Sequence, residues 1–303
     1  MNTNPITPET LATSVISVPP LARNADLSIN TAENEKMIRH LESGGVTTLL
    51  YGGNAILYHI ALSEYARLLE MLAEVAGEET LVIPSVGPGY GMMMDQAKIL
   101  QDTSFSTAMI LPTRDVVTPA GVATAVRHFV EKVNRLAVLY IKHDGYIDIP
   151  HVKQLMDDGL LSWIKYAVVR EETADDDYLR ELVDTVGPSR IVSGIGEQPA
   201  ITHMRDFGVS SFTSGCVCIA PRLSMQMLRA IQADDFAKAE ESRQFFAPLE
   251  GLRNSINPVR VLHSAVTLSD IADMGPLMPL LSEVSETQLD EIREAAVQLL
   301  SNN

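Results

Sequence analysis

The sequence predicts a (β/α)8 barrel of the TIM type followed by a C-terminal helical region, and three observations carry that prediction. Short β-rich runs alternate with amphipathic helical patterns, the signature of parallel strands joined by crossover helices. Eight such runs fall within roughly the first 235 residues, which suits a closed barrel better than an open sheet. No G-x-G-x-x-G follows the first run to argue for a dinucleotide-binding sheet.

The expected strands are "ATSVISV" (12–18), "VTTLLY" (46–51), "TLVIPSVG" (80–87), "TAMILP" (107–112), "LAVLYIK" (136–142), "IKYAVVR" (164–170), "RIVSG" (190–194) and "SSFTSGC" (210–216). Between them, "SEYARLLEMLAEVAG" places Tyr65, Leu68, Leu69, Leu72 and Val75 on one helical face and stops at Gly77. "TPAGVATAVRHFVEKV" opens with Thr118 as N-cap and Pro119 at the first helical position. "DDDYLRELVDTVG" presents Leu179, Leu182, Val183 and Val186 and ends at Gly187. From about Pro221 the chain reads as helices without strands. The expected organisation is a barrel over 1–225 and a helical region over 226–303 packed on it.

Composition narrows the function. The 303 residues include 23 basic and 39 acidic side chains, a formal charge of −16, which disfavours nucleic acid or an anionic membrane as partner. A small anion remains compatible, because it needs only a local positive pocket. The first twenty residues show no basic stretch followed by an apolar core, and no run approaches a membrane span. Cys216 and Cys218 are too close together to staple a fold and fit a reducing interior, so a cytoplasmic location is expected. They are expected to share a face at the end of the eighth strand and to pack at the barrel rim. His59, His143, Asp144 and Glu171 lack the spacing of a ligand set; neither metal nor cofactor is expected.

Several segments together resemble the dihydrodipicolinate synthase/N-acetylneuraminate lyase family of class I aldolase barrels. They are "VPPLARNADLSIN", "GGVTTLLYGGNAILYHIALSEYARLLEMLAEVAG", "GVSSFTSGCVCIAPRLSMQMLRAIQADDFAKAEE" and "INPVRVLHSAVTLSDIADMGPLMPLL", in the family's order. The resemblance implies a homo-oligomer, a dimer or a tetramer, acting on a small anionic substrate such as a 2-oxo acid. It also implies a Schiff-base lysine at the end of the sixth strand and a proton-relaying tyrosine at the end of the fifth, which Tyr140 in "VLYIKHDG" matches. The family's carboxylate-binding G-T-T-G-E loop corresponds to Gly52-Gly53-Asn54, with Ile56 where the glutamate stands. Both hydroxyls are lost there, but Gly53 still admits a ligand and Asn54 carries an amide donor. Arg114 stands where the family has one of a pair of tyrosines and is read either as an anion contact or as a surface residue. Gly194, in "VSGIGE", completes the expected substrate-binding set of Gly53, Asn54, Arg114 and Gly194.

The lysine itself is the open question. Counting strand alternation over 164–170 sets Ile164, Tyr166, Val168 and Arg170 on one side and Lys165 on the other. Arg170 precedes "EETADDDYLRELV" much as the family lysine precedes its following helix, so Arg170 takes that position, and Lys165 is placed near the strand's start or against the helix ring. Arginine stays protonated below a pKa of ~12 and is no nucleophile, but it holds a carboxylate well. The reading that follows is a lyase-type protein for a 2-oxo or hydroxy acid, with Tyr140 and Arg170 in the site and no covalent intermediate. Three alternatives stand beside it: a non-catalytic anion binder, a relocated Schiff-base Lys142 that shares the face of Tyr140, and "IKYA" with Lys165 as the motif itself.

Overall fold

Pro84 splits the third barrel strand, and around that break the sheet closes. The structure is a computed structural model that describes all 303 residues. Helix α1 (Pro8–Thr13) leads into β1 (Ile16–Ser17), α2 (Thr31–Ser43), β2 (Thr48–Leu50), α3 (Leu62–Val75), β3 (Leu81–Ile83) and β4 (Ser85–Val86). The alternation continues through α4 (Tyr90–Gln101), β5 (Ala108–Ile110), α5 (Pro119–Val133), β6 (Ala137–Ile141), α6 (Ile149–Asp157) and β7 (Leu161–Tyr166). It finishes with α7 (Asp177–Val186), β8 (Ile191–Ser193), α8 (Ala200–Phe207), β9 (Ser211–Ser214) and α9 (Pro221–Gln232). Three further helices follow: α10 (Phe236–Ser255), α11 (Pro258–Leu268) and α12 (Glu286–Leu300).

The nine strands are all parallel, in the order β3-β2-β1-β9-β8-β7-β6-β5-β4. The two ends of that series, β3 and β4, are halves of one expected strand. Proline has no N–H to donate to a ladder, but its carbonyl accepts from Met109 N (2.9 Å) while Ile83 O accepts from Tyr51 N (2.9 Å). The result is a nearly closed (β/α)8 barrel with a C-terminal helical region, as the alternation predicted. No helix is long and apolar enough to cross a membrane.

The helix signals hold locally. Thr118 caps α5 through its hydroxyl, Pro119 occupies the first helical position, and Gly187 ends α7 at φ +78°, a conformation costly for other residues. Helix α9 runs across the boundary expected between 225 and 226. The two cysteines do not share a strand face: they sit in a single 3-10 turn after β9, both buried and free, because the chain leaves the sheet at Ser214.

Helix α10 is fastened to the barrel by two buried carboxyls. Glu250 accepts backbone N–H groups from Glu197 (2.9 Å) and Gln198 (3.0 Å), and Glu197 accepts the hydroxyls of Ser214 and Ser224, both at 2.8 Å. Gly196 makes room: its φ is +100°, and a Cβ there would lie 2.0 Å from Glu250 Oε1. Burial raises both carboxyl pKa values, and the charge of Glu197 further opposes ionisation of Glu250, so the pair retains a proton above the ordinary carboxylate range. Glu250→Gln turns an NH2 toward a backbone N–H and is expected to cost ~1–3 kcal/mol. Glu197→Gln costs less, because serine hydroxyls can reverse donor and acceptor roles. Because the folded pKa values are raised, wild-type stability falls as pH climbs out of the carboxylate range. Melting curves across pH should show that slope flattened in Glu197→Gln.

Candidate active site

The strand ends that face the α10 side of the barrel bring together side chains far apart in sequence. Strands β6 and β7 pair in a register that sets Tyr140 beside Lys165. Lys165 is only 4% exposed, and its Nζ lies 4.6 Å from the centroid of the Tyr140 ring. The next residue, Tyr166, points the opposite way: its hydroxyl donates to Asp176 at 2.6 Å and its ring stacks on Tyr178 of α7 at 6.0 Å. Odd-numbered positions of β7 therefore face the lumen and even-numbered ones the helix ring.

This corrects the placement of the two basic side chains. The strand spans 161–166 rather than 164–170, so alternation cannot be carried outward to Arg170, and Val169 is already 74% exposed. Lys165 does not snorkel at the barrel bottom or against the helices. Arg170 lies beyond the strand and is occupied: its two terminal nitrogens each donate to Asp144 at 2.8 Å, and Nε pairs with the buried Asp176 at 3.1 Å. Asp176 also caps α7 by accepting from Leu179 N. Arg170 thus ties the β6–α6 and β7–α7 loops together. Arg170→Ala is expected to lower unfolding free energy by ~1–3 kcal/mol, read by denaturant titration, without disturbing chemistry at Lys165.

Burial, reinforced by the charges of Lys142 and Arg253, pulls the Lys165 pKa down to about 7. Burial first, then Tyr58, raises that of Tyr140, so its hydroxyl stays protonated at neutral pH. No hydrogen bond within the protein engages Lys165 Nζ or the Tyr140 hydroxyl, although both residues are buried. Such free polar ends in a lumen mark places for a ligand.

The other expected residues surround this pair unevenly. Gly194 follows β8, and a Cβ there would lie 2.6 Å from Cβ of Ala167, 2.8 Å from Tyr166 O and 3.0 Å from Cγ of Lys165, so its bareness makes way for the end of β7, the lysine stem included. Asn54 is buried and donates Nδ2 to Val18 O at 2.7 Å. Gly53 starts a tight turn in which Ile56 N donates to Gly53 O; Ile56 adopts a left-handed φ of +56°, unusual for a β-branched residue. Lys142 lies just past β6, with Nζ 5.6 Å from the Tyr58 ring, and desolvation together with Arg114 lowers its pKa. Arg114 is exposed and has no carboxylate partner. Two neighbours escaped the sequence reading. Tyr58, whose burial raises its pKa to about 12, comes from the loop after β2, and Arg253 from the last turn of α10. A surface cavity of about 760 Å³ lies elsewhere: its lining includes residues of α4 and α5 but neither Tyr140 nor Lys165.

A nearly closed β/α barrel with a buried lysine and a free tyrosine in its lumen has the architecture of the aldolase-type barrels. Comparison with known proteins agrees on the fold. No protein-family model matches the sequence. The dihydrodipicolinate synthase of Bacillus clausii superposes with a TM-score of 0.80 at 22% identity, covering 96% of this chain and 98% of that one. A catalytic lysine mutant of the Ruminococcus gnavus sialic acid aldolase gives 0.81 at 14% identity, covering 96% of each. In sequence, the probable 5-dehydro-4-deoxyglucarate dehydratase of Rhizobium meliloti (strain 1021) is 24% identical over 293 residues, 91% of this chain and 92% of the relative. The fold is thus that of dihydrodipicolinate synthase and sialic acid aldolase, as the sequence motifs indicated.

Proposed function

We propose that this protein is a lyase of the dihydrodipicolinate synthase/N-acetylneuraminate lyase type, with Lys165 as the Schiff-base nucleophile for a small 2-oxo acid. The observation that carries this reading is the buried Lys165 amine, unpartnered and 4.6 Å from the Tyr140 ring. It replaces the Arg170 reading, since a guanidinium bound to two carboxylates is neither a nucleophile nor free to hold substrate.

In the proposed chemistry the neutral Nζ attacks the 2-oxo carbon, forming a C–N bond while the carbonyl oxygen takes up a proton. The carbinolamine then expels that oxygen as water, leaving an iminium that draws electrons from the adjacent carbon. Tyr140, whose hydroxyl stays protonated, passes protons between nitrogen, oxygen and the departing water. The iminium permits either loss of water from the neighbouring carbons, the kind of reaction in the name of the Rhizobium meliloti relative, or carbon–carbon cleavage, as in an aldolase.

Borohydride reduction in the presence of pyruvate tests the reading. The expected result is a stoichiometric mass increase that peptide mapping assigns to Lys165. An adduct on Lys142 instead, or pyruvate bound without any adduct, overturns it.

A further inference from the structure

Arg253 sits at the end of the C-terminal helix α10, outside the barrel repeats, yet its guanidinium reaches the lumen. Its Nε donates to Pro258 O at 3.2 Å and its Nη1 lies 3.8 Å from Cys216 Sγ. Nη2 has no protein partner, and no carboxylate comes within 4.0 Å of the group. The nearby acids are committed elsewhere: Glu250 to two backbone N–H groups, Glu197 to two serines. An arginine without a carboxylate, within electrostatic reach of a buried lysine that also lacks one, leaves a positive charge that an external anion would balance.

Gly215 makes room for the guanidinium and for a second donor beside it. A Cβ at Gly215 would stand 2.8 Å from Nη2 of Arg253 and 3.0 Å from Nδ2 of Asn54. Gly215 has an ordinary φ of −88°, so its bareness serves space rather than backbone shape. Asn54 uses one amide hydrogen on Val18 O and keeps the other, so the guanidinium and the amide meet at Gly215, each with an unspent donor. The charge of Arg253 also acts on both Lys165 and Tyr140, so it stands within electrostatic reach of the pair.

We propose that Arg253, with Asn54, binds the carboxylate next to the carbonyl of a 2-oxo acid and so selects acids over their neutral analogues. This rests on the Lys165 reading: when Nζ bonds to the 2-oxo carbon, that carboxylate is one bond away and must lie against a neighbouring wall of the lumen. A guanidinium matches a carboxylate in charge and in planar shape. The hydroxyls missing from the loop after β2 are thereby replaced by a cation from the C-terminal region.

The experiment compares pyruvate with methyl pyruvate, which keeps the ketone and loses the charge, in wild-type protein and Arg253→Gln. The concentration giving half-maximal borohydride-trapped adduct is expected to rise ~10–100-fold for pyruvate in the variant, the range for loss of a charged hydrogen bond. For methyl pyruvate it should move less than ~3-fold. Equal shifts for both compounds, or none, overturn the proposal even while adduct formation at Lys165 upholds the Schiff base. If wild type forms no adduct, the Lys165 reading falls, and calorimetric binding of the same two ligands to the same two proteins decides the role of Arg253. If Arg253→Gln does not fold, Arg253→Lys keeps the charge without the bidentate fork. An intermediate loss for pyruvate alone then supports the assignment and a wild-type profile refutes it.

Discussion

Lys165→Met is expected to abolish the borohydride-trapped adduct with pyruvate and to lower any lyase turnover by ~10³-fold or more, as removal of a nucleophile does elsewhere. With its pKa near 7, about half of the wild-type amine is neutral at pH 7, whereas an ordinary lysine is neutral in only about one molecule in 2,500. Methionine matches the length of the stem and suits the buried lumen, so loss of activity should not come from unfolding. It should even come with added stability. The folded pKa lies below the unfolded one, so between about pH 7 and 10 the unfolded state binds the extra proton. Wild-type stability therefore gains ~1.4 kcal/mol per pH unit from this group over that window, and at pH 7 the full cost of holding the lysine neutral is still present. The difference in unfolding free energy between Lys165→Met and wild type should be largest near pH 7 and shrink toward pH 10. A variant that keeps the adduct, or a difference that does not change with pH, contradicts the assignment.

The barrel was legible because its signals are local and repeated. Thr118 with Pro119 starts a helix, Gly187 ends one, and alternating β-rich and amphipathic runs require parallel strands with crossovers. The inward lysine was not legible, and the reason is a shift of about half a strand. "LSWIKY" and "IKYAVVR" are equally rich in aromatic and β-branched residues, and only pairing with β6 and β8 decides which residues are strand. Spacing to the segment "EETADDDYLRELV" points to Arg170, but the strand ends at Tyr166, so Arg170 stands in the loop and the lumen side falls to the parity of Lys165. Tyr140 escaped the error because the expected and actual strands around it overlap closely. Arg253 left no mark at all in the sequence: it is one of several arginines on a polar helix, and only the docking of α10, through Glu250 on the barrel amides, aims it at the lumen. Local signals thus placed the scaffold, while the residues that converge in the site depend on contacts between distant elements.

Tyr140→Phe is expected to reduce turnover by ~10²–10⁴-fold, the usual contribution of a positioned proton-transfer group, while leaving Lys165 able to form an adduct on long incubation. The two residues share one level of the lumen but contribute differently. Lys165 supplies the electron pair, which phenylalanine at 140 does not remove. The Tyr140 hydroxyl supplies a proton path, and the residue in register with Lys165 on the other side, Val192, has no proton to relay. Burial holds that hydroxyl well above its ordinary pKa, so it acts as a neutral relay, accepting and donating in turn, rather than as a tyrosinate base. The pH dependence of adduct formation should therefore rise through about 7 with the Lys165 amine in both wild type and Tyr140→Phe, with no second rise from the tyrosine below pH 10. The ring itself lies against Nζ, and phenylalanine preserves that contact. A variant that lost the adduct outright, or moved the rise away from neutral pH, would show that the hydroxyl helps set the lysine's charge and not only the traffic of protons around it.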